Sequence, residues 1–243
     1  SMKRYENVFF IFVFFFLSLL VFLSRHIQIN YIKKFSDKFY LFDDPIFINP
    51  DSYNTLNNIK ENITKSSNFY EKIISNDFLT SIFTVLNTIF YKTSLPELVF
   101  VSSPIFVFLT FLSLGLFFYS ISNKYIAVIS SFTFIISVIF FSRSSSLFFD
   151  KEVLNIFFVF MILYFLNFYT YEKLEKKRFI FVSLFIILIN ILFSYHYSKV
   201  SFSLIFGLII VCNFFFLKEK LSYKFIFLIL YLSPVLFFYG PDG

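Results

Sequence analysis

The sequence predicts an all-α, multi-spanning membrane protein, and three observations predict it. Of 243 residues, 58% are hydrophobic and 15% charged, which is more apolar surface than a single soluble core of this length can hide. Mean hydropathy is +0.78. The apolar residues gather in long runs without the alternation of a half-buried strand, and in lipid an open sheet edge would leave backbone groups unpaired. Helices are the form such runs take. With 4 Gly and no Pro-rich linker or internal repeat, the chain reads as one domain over 1–243.

A helix needs about 20 apolar residues to cross a hydrocarbon core of about 30 Å. The first run that approaches this is Val8 to Ser24, behind Lys3 and Arg4. Ser24-Arg25-His26 offers no small-residue cleavage pattern, so the run reads as an anchor rather than a signal sequence. Residues 25–97 then form a long polar segment. It carries Asp43-Asp44-Pro45 and Asn49-Pro50-Asp51-Ser52-Tyr53, and from Asn54 to Asn68 it places Leu56, Ile59 and Ile63 at helical spacing. That stretch and Phe78 to Tyr91 read as amphipathic helices near the interface. Further spans follow at Leu98 to Ser122, Tyr125 to Ser142, Val153 to Tyr169, Phe179 to Tyr195, Val200 to Leu217 and Phe225 to Tyr239, seven in all.

Short-loop charge sets the direction. With the N-terminus cytoplasmic, the inner segments hold ten Lys and Arg, from Lys3 and Arg4 through Lys124, Lys173, Lys176, Lys177 and Arg178 to Lys218, Lys220 and Lys224. The outer short loops hold three, Arg143, Lys151 and Lys199. This positive-inside bias puts the 25–97 loop and the 143–152 loop on the extracytoplasmic face. It also accounts for the net charge of +6 without a nucleic-acid partner.

No Walker loop, dinucleotide fingerprint, nucleophile elbow or zinc spacing is present. Cys212 is the single cysteine, so no intrachain disulfide forms. His26 and His196 lack a second His at ligand spacing and read as structural. The spans carry Asn155, Asn167 and Asn190 but no ionisable relay, and Gly207 and Pro234 alone do not make a transporter's broken helices. Asn62-Ile63-Thr64 matches a glycosylation acceptor pattern. Tyr53, Tyr195 and Tyr197 are suited either to stacking on sugars or to interfacial anchoring.

The chemistry-bearing residues are the acids at the outer face. Asp150 and Glu152, with one more acid from the first loop, supply the oxygen ligands that Mg²⁺ or Mn²⁺ takes. The competing reading is that Asp150 and Glu152 complement a helix dipole, that Arg143 and Lys151 are anchors, and that Asp51 after a Pro is a turn residue or cap.

The order of these features resembles a known family. One span is followed by a long outer loop with Asn49-Pro50-Asp51-Ser52-Tyr53, and a pair of spans leads to Arg143-Ser144-Ser145-Ser146-Leu147-Phe148-Phe149-Asp150-Lys151-Glu152. This arrangement resembles the catalytic subunit of the oligosaccharyltransferases, membrane glycosyltransferases of the GT-C class, over their N-terminal seven-helix module. The resemblance implies Asp51, Asp150 and Glu152 as ligands of a divalent metal (Mg²⁺ or Mn²⁺), with Asp51, Glu152 and Arg143 in the catalytic constellation. It implies a polyprenyl phosphate or pyrophosphate sugar donor, inverting transfer to an Asn side chain, and a site on the extracytoplasmic face. Tyr195-His196-Tyr197-Ser198 falls where the family carries an aromatic-rich turn, without its Trp. The family's soluble carboxyl-terminal domain, with its Trp-Trp-Asp-Tyr-Gly motif, has no counterpart in these 243 residues, which contain no Trp. The chain therefore reads as a piece of a longer enzyme, a short relative, or half of a split one that works with a partner subunit. The alternative is a non-catalytic subunit that binds the polyprenyl phosphate or scaffolds a glycosylation complex.

Overall fold

The computed structural model describes residues 2–65, 78–137, 145, 147, 152–171, 176–196, 204–205, 207–209, 211–212 and 221–238. The described chain is nearly all helical. In order it contains α1 (Met2–Lys34), α2 (Ser36–Phe39), a two-stranded antiparallel hairpin of β1 (Tyr40–Leu41) and β2 (Asp44–Pro45), α3 (Pro50–Lys65), α4 (Phe78–Ile89), α5 (Leu95–Ile121), α6 (Lys124–Ile136), α7 (Glu152–Tyr171), α8 (Lys176–His196) and α9 (Leu221–Phe238).

Three helices are long and apolar enough to cross a membrane, at Phe10–Lys34, Leu95–Ile121 and Arg178–His196. They make this a membrane protein. Shorter apolar helices lie at Phe78–Ile89, Leu154–Asn167 and Lys224–Ser233. The expected spans Tyr125 to Ser142 and Val200 to Leu217 lie partly outside the described residues. Rows of exposed side chains, among them Ile11, Phe12 and Phe15 on α1 and Phe181, Leu184 and Leu188 on α8, are the surface that lipid covers and water would reject.

α5 is the central helix, packed against α1, α4, α6 and α7. Its apolar residues surround the whole helix axis, as a buried helix requires. A capping box starts it: Ser94-Leu95-Pro96-Glu97 places Ser94 Oγ as acceptor for the Glu97 N–H at 3.4 Å, with Pro96 in the first turn. Only Ser122 and Asn123 separate α5 from α6, which forces the two helices antiparallel, and Asn123 caps α6 by accepting the Ile126 N–H at 3.0 Å.

The first helix does not stop at Ser24. It runs antiparallel along α5, with Phe10 stacked on Tyr119, Phe14 on Phe111, and Lys33 ion-paired to Glu97. From Phe10 to Lys33 that register covers about 35 Å at 1.5 Å per residue, a full membrane thickness. Hydropathy falls after Ser24 because of Arg25, His26, Gln28 and Asn30. The buried face nevertheless continues through Val21, Arg25, Ile29 and Ile32, and the packing follows that face.

Four buried serines inside the bundle satisfy themselves locally. Ser18, Ser113, Ser131 and Ser183 are buried and turn their hydroxyls onto carbonyls three or four residues back, at 2.7–2.8 Å. Two of the asparagines do more. Asn167 Nδ2 donates to the Ser120 carbonyl at 2.7 Å, tying α7 to α5, and Asn190 Nδ2 donates to the Tyr231 carbonyl at 2.7 Å, tying α8 to α9. They are cross-helix fastenings of the kind that hold bundles together in lipid. In α9, Pro234 cannot supply the N–H that the Leu230 carbonyl would receive. The Ser233 hydroxyl supplies a donor to that carbonyl instead, at 2.8 Å.

Candidate functional site

The segment that carries Asp51 is held by an unbroken series of hydrogen bonds. The Ile46 N–H donates to the Phe39 carbonyl at 2.8 Å, extending the hairpin. The Phe47 N–H donates to Tyr53 Oη at 3.1 Å, and the two rings meet edge on at 6.1 Å. The Ile48 N–H donates to the Leu147 carbonyl at 2.9 Å. Asn49 Oδ1 then accepts the Asp51 N–H at 3.1 Å, and the Asn49 carbonyl accepts the Ser52 N–H at 3.0 Å. α3 begins at Pro50, four residues before the helix read from hydropathy. Asn49 stands at the cap with Pro50 in the first helical position. Asp51 is thus neither a cap nor a turn residue. It lies in the first turn of α3, exposed, where the helix dipole favours a negative charge.

α3 buries Ser52, Leu56, Ile59 and Asn62, one stripe at helical spacing, against α4. On α4 the opposing residues include Leu79, Thr80, Phe83 and Thr84. Asn62 is buried, at 5% exposure, and its Nδ2 donates to Thr84 Oγ1 at 3.2 Å. The acceptor pattern at Asn62-Ile63-Thr64 is therefore closed inside a helical interface and does not present an amide to a glycosylating enzyme.

Of the residues singled out from the sequence, Arg143 and Asp150 lie outside the described residues. Glu152 is the first residue of α7. The Ile48–Leu147 hydrogen bond brings the backbone three residues before Asp51 against the backbone three residues before Asp150. Phe47 and Leu147 are both buried in one core with Leu154 and Phe158 of α7. Among the described residues no group of three His, Cys, Asp or Glu side chains comes together. Asp51 itself offers carboxylate oxygens, the donor type of a hard divalent cation, on an exposed helix start. Tyr195 reaches a different partner: its hydroxyl lies 2.6 Å from Ser81 Oγ, and its ring stands edge on to Phe78. His196 is buried between the rings of Phe78 and Phe158. Tyr197 lies outside the described residues.

A second polar group was not legible from spacing. Glu97, at the start of α5, receives the Tyr40 hydroxyl at 3.2 Å and pairs with Lys33 at the end of α1. Ser94, the cap of α5, donates its hydroxyl to Asp44 Oδ1 at 2.6 Å. Lys33, Ser36, Asp37, Tyr40, Asp43 and Glu97, with Phe42, line a cavity of about 560 Å³. Burial, and then the Glu97 carboxylate, push the Tyr40 phenol above its ordinary range. The folded value exceeds the unfolded one, so the contribution of Tyr40 is complete below about pH 10 and is lost as pH rises through the folded value. In an ultraviolet difference titration of wild type against Tyr40→Phe, the tyrosine that is removed ionises above the exposed tyrosines. Ionisation at about pH 10 would contradict the Tyr40–Glu97 contact.

No protein-family model matches the chain, and no curated protein matches it.

Proposed function

We propose that the chain is an oligosaccharyltransferase-like GT-C glycosyltransferase, or the donor-binding module of one, with a seven-helix membrane domain. On this reading it transfers sugar from a polyprenyl phosphate or pyrophosphate donor on the extracytoplasmic face. The observation that supports it is the Ile48 N–H to Leu147 carbonyl hydrogen bond. It joins Ile48, the residue before the 49–53 segment, to Leu147, the described residue within the 143–152 sequence, although about a hundred residues separate them.

In this proposal Asp51, Asp150 and Glu152 hold Mg²⁺ or Mn²⁺. When bound, the ion supplies positive charge beside the leaving phosphate. Arg143 adds a second positive charge there, and Glu152 orients or polarises the acceptor amide. Asp51 is suited to its part because its carboxylate is exposed on a helix start fixed by Asn49.

Calorimetric titration of Mn²⁺ into the detergent-solubilised protein tests this. Wild type is expected to bind one ion, and Asp51→Ala to weaken that binding at least about tenfold, the loss that removing even an outer-shell partner of a metal ligand causes. No heat with wild type, or an unchanged isotherm with Asp51→Ala, would remove the metal-assisted reaction and leave the scaffolding or lipid-binding subunit as the reading.

A further inference from the structure

We infer that the tip of the 40–45 hairpin is an interfacial wedge that seats Phe42, with Leu41 beside it, in the headgroup layer of the phospholipid bilayer. Phe42 is 93% exposed and Leu41 60%. The two turn residues, Phe42 at φ 50° and Asp43 at φ 68°, both occupy the left-handed region. Two-residue hairpin turns of this kind ordinarily use Asn and Gly, and a bulky aromatic there is an outlier.

The hairpin is pinned on all sides. Tyr40 pairs with Pro45 and Leu41 with Asp44, Ile46 bonds back to Phe39, and the hydroxyls of Ser94 and Tyr40 join it to the start of α5. A rigid turn thus holds a large apolar side chain away from the protein, in a backbone conformation that disfavours it. The fold covers almost none of the Phe42 side chain, at 93% exposure, so the contact that would bury it lies outside the fold.

Position identifies the occupant. Lys33 and Glu97 pair at the adjoining ends of α1 and α5, two of the helices long and apolar enough to cross a membrane. Their pair marks one edge of the hydrocarbon. Phe42 lines the same cavity as Lys33 and Glu97, which sets it at that edge. Its surroundings continue the lipid-covered surface: Ile27 and Tyr31 are exposed on the neighbouring stretch of α1, and Tyr31 meets Phe35 with ring centroids 4.8 Å apart. Aromatic rings flanked by lysines, here Lys34 and Lys38, are what the headgroup layer accommodates, the rings among the carbonyls and the ammonium groups on the phosphates. The wedge holds whatever reaction the protein performs.

The chain contains no Trp, so one introduced Trp reports its own surroundings. Phe42→Trp and, as a control, Asn57→Trp on the exposed face of α3 are reconstituted in phosphatidylcholine vesicles, with and without lipid brominated near the top of the acyl chains. The wedge predicts blue-shifted emission from Trp at position 42, with at least twofold quenching by the brominated lipid. Position 57 is expected to emit as in water, with little quenching. Leu41→Trp repeats the measurement one residue away, in case the turn rejects the larger ring. Water-like emission at both 41 and 42, quenched no more than at 57, would overturn the wedge.

Discussion

Replacing Phe83 by Ala is expected to destabilise the protein by about 3–5 kcal/mol, the range for a fully buried Phe. Phe83 has no exposed surface. It lies on α4, the helix that receives α3 on one side and meets α5 and α8 on the others. Its ring stands edge on to Phe106 of α5 at 6.1 Å. Among the described helices α4 is the main one that α3 packs against, so the loss should be felt first where α3 is held. In hydrogen exchange on the detergent-solubilised variant, amides of 50–65 are expected to lose protection before those of α5. Uniform loss of protection, or none, would show that α4 does not carry α3.

Gly115→Leu should separate the first helix from the bundle. A Cβ at position 115 would overlap Cζ and Cε2 of Phe14, so α1 can lie where it does only because α5 is bare at that point. Overpacking of this kind costs about 1–3 kcal/mol and more when the backbone must shift. Here the ring that must yield is itself stacked between Phe10 and Phe111. A thermal shift measurement should therefore show a clear fall for Gly115→Leu and substantial recovery for the double variant Phe14→Ala/Gly115→Leu, because the added side chain then occupies the space of the removed ring. No recovery would mean that the glycine matters for something other than Phe14.

The helical, membrane character was legible because apolar runs in this chain are long and hardly interrupted. The ends of elements were less so. α1 outlasts its hydropathy because a buried stripe needs only every third or fourth residue to face the bundle, and Arg25 can sit in that stripe while hydrogen bonding Gln28 at 3.1 Å. The start of α3 is marked in Asn49-Pro50, a cap followed by a proline, but the apolar spacing begins only later, at Leu56. Among the candidate residues, Asp51 could be named from its neighbours alone. The group formed by Lys33, Tyr40, Asp44, Ser94 and Glu97 could not, since its members lie up to 64 residues apart and no local pattern links them. The capping box at Ser94 was visible in principle. What it could not convey is that both of its polar side chains also hold the hairpin.

The closure of α3 over Asn62 sets an order on any modification of that side chain. An enzyme that adds glycans to Asn-x-Ser/Thr has to reach the amide in an extended chain, whereas here it is packed against Thr84 once α3 and α4 have met. A group attached to Asn62 Nδ2 would have to arrive before that meeting, and it would then displace the Thr84 hydroxyl and hold the two helices apart.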